Sequence, residues 1–383
     1  MDFELSEEQR LLKDSVERLV TQRYDFEARK KYMAEADGWS RALWKQYVDL
    51  GLTALPFAEE HGGIGGGPVE TMIVMEAFGR ALALEPFWAT VVLGGSFLAR
   101  GASKAAQTDV LPKVAAGEFL LAFAHIERQA RYDLADIATT AKKDGAGYVL
   151  DGAKSLAVHG DCADKFVVSA RVSGAQRDKA GIGLFLVDAK AAGVTRRGYP
   201  TMDGLRAAEV TLANVKVGAD AVIGEPGNAY PLIEQVTDIG IAALAAEAVG
   251  AMSAMHEITV DYLKQRKQFG VPIGNFQVLQ HRAGEMLIAL EQARSMAMLA
   301  TMMAAEDNAV ERRKSISAAK VQIGRSGRIV GQGAIQLHGG IGMTMEYKVG
   351  HYFKRVTMID TMFGDADYHL AALARMGGII QAA

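Results

Sequence analysis

Between Leu11 and Val20 the apolar residues fall at Leu11, Leu12, Val16, Leu19 and Val20. That is the spacing of a helix with one buried face. Ser6 stands where an N-cap belongs, and Glu7 and Glu8 suit the positive end of the helix dipole. The helical period dominates residues 1–117. The segment HGGIGGGP (61–68) interrupts it as a loop between helices. Its glycines suit a tight turn or a phosphate cradle; no strand precedes them as in a dinucleotide-binding unit, so the turn is the expectation.

From residue 118 the pattern changes. FLLAFAHIE, YVLDGAKSLAVHG, KFVVSARV, GIGLFLVD and AEVTLANVKV are short runs rich in apolar and β-branched residues, punctuated by Gly, Asp and Asn. Such spacing predicts an all-β unit, a small barrel or sandwich, over 118–223. From 224 the helical period returns. Tyr230 to about Gln268 contains no internal proline after Pro231 and reads as one very long helix, stopped near Gly270 and Pro272. Two further helices are predicted over about 276–305 and 309–337, then a glycine-broken turn and a last helical segment. The fold class is therefore α+β and multidomain: a helical domain (1–117), a β domain (118–223) and a helical bundle (224–383).

Composition narrows the function classes. Half of the 383 residues are hydrophobic, 23% are charged and the net charge is −3. This is a folded globular chain with no electrostatic footprint for nucleic acid. The N-terminus lacks a secretory pattern, and no long uncharged apolar run suggests a membrane span, so the cytoplasm is the expected compartment. One cysteine, Cys162, excludes an intrachain disulfide and a CxxC metal site. Eight scattered histidines without an HExxH pattern argue against a zinc enzyme, and no metal site is expected.

Three stretches carry more specific information. YLKQRKQFGVPIGNFQVLQH (262–281), AIQLHGGIGMTME (334–346) and GIGLFLVD (181–188) together resemble the acyl-CoA dehydrogenase family, over essentially the whole chain. The resemblance implies a helical domain, a central β-barrel and a helical bundle that builds a homodimer or homotetramer. It also implies FAD held between barrel and bundle, an acyl-CoA thioester as substrate, and electron-transfer flavoprotein as electron acceptor. By the same resemblance Arg266, Gln268 and Phe269 grip the adenosine-pyrophosphate end of FAD, with Gln336, Gly339 and Gly340 as its second contact. A guanidinium suits pyrophosphate, an aromatic packs on flat rings, and glycines let backbone N–H groups approach phosphate. The bland alternatives are a basic helix C-terminus and a helix-ending turn.

On the barrel side the family's Thr-Glu pair is replaced by Ile126 and Glu127, its Gly-Ser-Asp by RYD (131–133), and the aromatic and Thr of the next strand by Leu156 and Val158. Hydroxyl donors and an aromatic face are lost. Backbone N–H groups around His125 and Glu127 remain as cofactor contacts. His125 with Glu127, LAVHG and FGDADYH (363–369) look like the small subunit of pimeloyl-CoA dehydrogenase, a branch in which unlike subunits pair as heterotetramers. That branch implies β-oxidation of a dicarboxylyl-CoA such as pimeloyl-CoA.

The implied reaction removes a proton alpha to the thioester while a hydride leaves the beta carbon for the flavin, giving a trans-2-enoyl-CoA. It needs a carboxylate base with a raised pKa. Of the two positions the family uses for that base, one is Phe363, before Gly364. The other is Gly240, ten residues before Gly250. Both lack a carboxylate. Glu247, alone in IGIAALAAEAVGAM (239–252), lies about two helical turns after Gly240 and is the leading candidate base. Its alternative is a Glu paired with a basic residue of another helix. Asp365 and Asp367 are rivals, though FGDADYH also reads as a capped helix start. A catalytic subunit, a non-catalytic partner subunit and a relative with oxidase or lyase chemistry all fit the pattern.

Overall fold

The computed structural model describes residues 4–377. Among the described residues, eleven α-helices and ten strands follow one another in the α–β–α order expected. Before the sheet come α1 (Glu7–Arg23), α2 (Phe26–Met33), α3 (Arg41–Asp49), α4 (Pro68–Ala81), α5 (Ser96–Gly101) and α6 (Lys104–Ala115), with a π-helical stretch at Trp88–Gly95. Ser6 caps α1 through Gln9 N–H, and Gln9 returns the bond to Ser6 N–H, a capping box.

Eight strands then form one sheet: β1 (Leu121–Ala124), β2 (Thr140–Asp144), β3 (Gly147–Val158), β4 (Lys165–Arg171), β5 (Ile182–Asp188), β6 (Val194–Pro200), β7 (Arg206–Val217) and β8 (Val222–Ile223). The order is β6-β7-β3-β2-β4-β5-β8, with β1 paired in parallel to β4. Inward side chains from these strands, among them Leu150, Phe166, Phe185 and Val210, make one apolar cluster. One inward position on β3 breaks the pattern: Lys154, beside a register shift between Lys154 and Ala157.

The helical part resumes with α7 (Tyr230–Gln265), α8 (Gln277–Met303), α9 (Ala309–His338), α10 (Val349–Thr361) and α11 (Ala366–Arg375). By length and composition α7, alone among the described helices, would qualify as a membrane span, contrary to the reading of the sequence. However, 89% of its apolar window is buried within the protein, as in a core helix. Where the sequence predicted a helix running to Gln268, α7 stops three residues earlier. β9 (Lys267–Gln268) and β10 (Val271–Pro272) pair as a two-stranded hairpin there.

Packing divides the chain differently from the order of its elements. One compact unit contains residues up to Lys31, Pro68–Ala83 and everything from Ile241; the other contains Tyr32–Gly67 and Leu84–Gly240. The first helical segment is thus shared out: α1 and α4 belong with the C-terminal helices, and α3, α5 and α6 with the sheet.

In the first unit α4 meets α7 at a crossing of small residues. A Cβ on Gly79 would run into the Glu247 carbonyl oxygen, and one on Gly250 into the Glu76 carbonyl oxygen. Close backbone approach is therefore what fixes glycine at both positions. In the second unit the HGGIGGGP loop is a tight turn, as expected. Its Gly62, Gly63, Gly65 and Gly66 N–H groups donate to Glu59, Ala58, Phe57 and Leu55 carbonyls, which leaves no cradle for phosphate.

Candidate functional site

Glu247 is not set in a purely apolar pocket. Arg355 of α10 meets it with both arms: Nε donates to Oε1 at 2.6 Å and a terminal nitrogen to Oε2 at 2.8 Å, with both side chains buried. This is a bidentate, charge-assisted pair. The expectation of a water-poor carboxylate free to take a proton is corrected on this point. The alternative of a Glu paired with another helix is what the structure contains. Arg355 was missed because it lies 108 residues away. Its signal was present all the same: Tyr352, Arg355, Val356 and Ile359 share the buried stripe of α10.

The two usual base positions are also resolved. A Cβ on Gly240 would stand 2.6 Å from Leu93 Cδ2 and 3.6 Å from Trp88 Cζ2, and Trp88 Nε1 donates to the Gly240 carbonyl at 3.0 Å. The space for a side chain is filled. Phe363 is buried with φ of 56°, in the left-handed region that costs a non-glycine residue energy. Its carbonyl accepts from His369 Nε2 at 3.1 Å, and His369 Nδ1 lies 3.1 Å from Ser317 Oγ. Burial, helped by Arg313 and Lys320, lowers the His369 pKa to about 3, so the ring is neutral. Lys320 Nζ donates to the carbonyls of Ile359 and Asp360, at 2.6 Å each, and closes the end of α10. Asp365 caps α11, accepting from Tyr368 N–H at 2.8 Å, and Asp367 is exposed in its first turn. The capping reading of FGDADYH is the one the geometry favours over either aspartate as base.

The sheet holds a second buried cluster. Lys154 Nζ donates to Glu127 Oε1 at 2.7 Å, to Ser169 Oγ at 3.2 Å and to the His125 carbonyl at 3.4 Å. Glu127 also accepts from Thr139 N–H, Ala138 N–H and Gln129 Nε2. Burial acts to raise its pKa, but Lys154 and these donors outweigh burial and hold the carboxyl down at about 2. His125 Nδ1 lies 2.9 Å from Ser169 Oγ, and its ring stacks on Phe123. Burial, then the charge of Lys154, push its pKa down to about 3. Glu127 thus spends its carboxylate inside the sheet, which leaves its backbone N–H, rather than its side chain, as the group a cofactor would meet. Lys154 was missed, although a lysine at an inward position of an alternating strand is a visible anomaly.

The proposed adenosine-end residues gather elsewhere. The β9–β10 hairpin turns on Phe269 and Gly270, with φ of 54° and 83°, as two-residue turns of the I′ type require. Phe269 presents its ring to solvent at 91% exposure. Arg266 and Gln268 are exposed beside it, and Gln336, Gly339 and Gly340 are exposed at the end of α9. The Tyr262 and His338 rings lie 4.5 Å apart, which brings the end of α7 next to the end of α9. A Cβ added at Gly339 or Gly340 would meet nothing within 4 Å, and Gly339 N–H donates to the Gln336 carbonyl as it closes α9.

Family models for the N-terminal, middle and C-terminal domains of acyl-CoA dehydrogenase match residues 6–118, 122–215 and 231–377. The long-chain specific acyl-CoA dehydrogenase of Sus scrofa is 30% identical over 82% of this chain and 74% of its own. The chain belongs to the acyl-CoA dehydrogenase family. A probable acyl-CoA dehydrogenase of Bacillus subtilis, YngJ, is 29% identical over 98% of this chain and 99% of its own. The ChsE4-ChsE5 complex from Mycobacterium tuberculosis superimposes with a TM-score of 0.88 at 25% identity, each chain covered in full. Members of this family are flavin-dependent oxidoreductases that use FAD.

The residues present fit that group unequally. Exposed positions without a Cβ at Gly339 and Gly340 and a solvent-facing Phe269 suit the adenosine-pyrophosphate end, although Gly339 N–H is already given to the Gln336 carbonyl. Around the sheet, Ile126, Leu156 and Val158 are apolar and half-buried, Glu127 is committed to Lys154, and His125 keeps one polar ring atom unbound.

Proposed function

We propose that this chain is one subunit of an FAD-dependent acyl-CoA dehydrogenase assembled from unlike chains, with a carboxylate of a related partner serving as the base. The observation that carries the reading is the state of the two usual base positions. Gly240 is packed under Leu93 and Trp88, and Phe363 occupies the other. The nearby candidate, Glu247, is clamped by Arg355. A carboxylate gripped by a guanidinium through both oxygens is a poor acceptor for a substrate proton. The similarity to ChsE4-ChsE5, a complex of two differently named chains, supports an unlike pair.

In this reading Arg266, Gln268, Phe269, Gln336, Gly339 and Gly340 hold the adenosine-pyrophosphate end of FAD. Arg266 supplies charge, the glycines supply close approach without a Cβ in the way, with Gly339 N–H itself held by the Gln336 carbonyl, and Phe269 supplies a flat surface. FAD, when bound, accepts the hydride from the beta carbon of the acyl group. The chain's contribution is binding and orientation. Electron-transfer flavoprotein is the proposed acceptor. A dicarboxylyl thioester such as pimeloyl-CoA is the first substrate to test, on the branch resemblance of His125, Glu127 and FGDADYH.

The test is to purify the chain alone and together with a related chain, count FAD per chain, and add pimeloyl-CoA without oxygen. Bleaching of the flavin only when both chains are present is the expected result. Full bleaching of a preparation of this chain alone would sink the unlike-pair reading.

A further inference from the structure

The cluster inside the sheet has one property that its ion pair does not explain. We propose that Glu127, Lys154 and Ser169 lock His125 into the neutral Nε2–H tautomer, so that the sheet presents a single hydrogen-bond donor to a carbonyl oxygen of a bound ligand.

The assignment follows from counting hydrogens. An ammonium has three N–H donors and no lone pair. Those of Lys154 reach Glu127 Oε1, Ser169 Oγ and the His125 carbonyl. Ser169 Oγ is therefore an acceptor towards Lys154. Its own O–H must find another acceptor, because Ser169 is wholly buried. His125 Nδ1, at 2.9 Å, is the acceptor in reach. Were Nδ1 protonated, its hydrogen and the hydroxyl's would compete for the same line, and the hydroxyl would stay unpaired. A buried polar hydrogen without a partner costs about 1–3 kcal/mol. That corresponds to a preference of at least roughly fivefold for the bare Nδ1. The proton of the neutral ring then resides on Nε2.

Nε2 has no partner among the described residues, and it is not one of the sealed polar atoms of the structure. The ring plane is fixed by near-parallel stacking on Phe123, 16° between planes at 4.9 Å. A neutral N–H in a fixed plane, with an ammonium behind it, suits an uncharged carbonyl oxygen and repels a cation. Two carbonyls belong to the proposed chemistry: those of the flavin ring and that of the acyl thioester. The choice of ligand rests on the proposed function, whereas the tautomer does not.

Histidine-selective nitrogen-15 labelling of the full chain tests both halves. His125→Gln identifies the resonance. The two-bond proton–nitrogen spectrum of the unmodified chain should show Nε2 protonated and Nδ1 bare, with one tautomer dominant at least roughly fivefold. An Nδ1–H form, or an even mixture, overturns the lock. Ser169→Ala, checked for unchanged thermal unfolding, should reduce the preference severalfold; an unaltered ratio also overturns it. FAD alone and acyl-CoA alone are then added, with binding followed by flavin fluorescence and by calorimetry. A shift of the Nε2 proton with FAD assigns the flavin carbonyl, and a shift with acyl-CoA the thioester. Bound FAD and bound acyl-CoA that both leave His125 unmoved refute the donor role while the proposed function stands. Failure of FAD to bind with or without a related chain refutes the function while the tautomer result stands.

Discussion

A buried ion pair lies in each compact unit of this protein, and the two are built for different ends. Glu247 and Arg355 satisfy each other face to face, two oxygens against two nitrogens, beside helix backbones in contact at Gly79 and Gly250. Glu127 and Lys154 share one direct contact and spread the rest over backbone N–H groups, Gln129, Ser169 and a carbonyl. The first pair is closed. The second ends in an imidazole with one nitrogen still to be used. A buried charge therefore indicates chemistry only once its partners have been counted, since the same carboxylate type serves here as a clamp and there as the root of a network.

The hardest way to break the contrast is to remove the cation. Arg355→Met and Lys154→Met should each lower unfolding free energy by about 3–5 kcal/mol, because each strands a buried carboxylate. Chemical denaturation measures this. Joint replacement Glu247→Leu with Arg355→Met should recover most of the loss, since a closed pair can be exchanged for apolar packing. Glu127→Leu with Lys154→Met should recover less, because further donors and acceptors would lose their partner. Equal recovery in both would erase the distinction. Gly250→Ala comes next, at about 1–3 kcal/mol, through forced separation of α4 and α7 at the clamp.

Acid titration sharpens the comparison further. The Glu127 carboxyl is depressed when folded, so its stabilisation is complete above the unfolded value of about 4.3 and fades as the pH falls through about 2. The unmodified chain should lose stability across that window, and Glu127→Gln should show a shallower slope there. A parallel slope would mean that the network does not hold the charged form. The smallest effect belongs to the rival base. Asp365→Ala should cost about 1 kcal/mol as a lost helix cap, read from the thermal midpoint, with no change in flavin bleaching by the assembled enzyme.

Much of this was legible in the residues. The helical and alternating periods placed α1, the strands β1, β3, β4, β5 and β7 of the sheet, and the long C-terminal helices, because each element buries one face and repeats accordingly. The redistribution of α1 and α4 to the C-terminal helices was not legible, since it depends on contacts between segments far apart in the chain. The same holds for the site. Glu247 was conspicuous in its sequence, but Arg355 decides its chemistry, and only folding brings them together. Lys154 sat in plain view within GAKSLAV on an inward position, and the alternation of β3 would have exposed it. The hairpin after α7 was hidden for another reason: a phenylalanine in a left-handed turn runs against turn preferences, which favour Asn or Asp before Gly.

That turn makes Phe269 an address for a reporter. Its ring touches water over nearly all of its surface, so Phe269→Trp would install an indole with red-shifted emission and little influence on the folded core. Capture of a planar ligand or docking of another chain at the hairpin would shift that emission to the blue. Assembly could then be followed in real time as a blue shift against the emission of the buried Trp39, Trp44 and Trp88, without waiting for turnover.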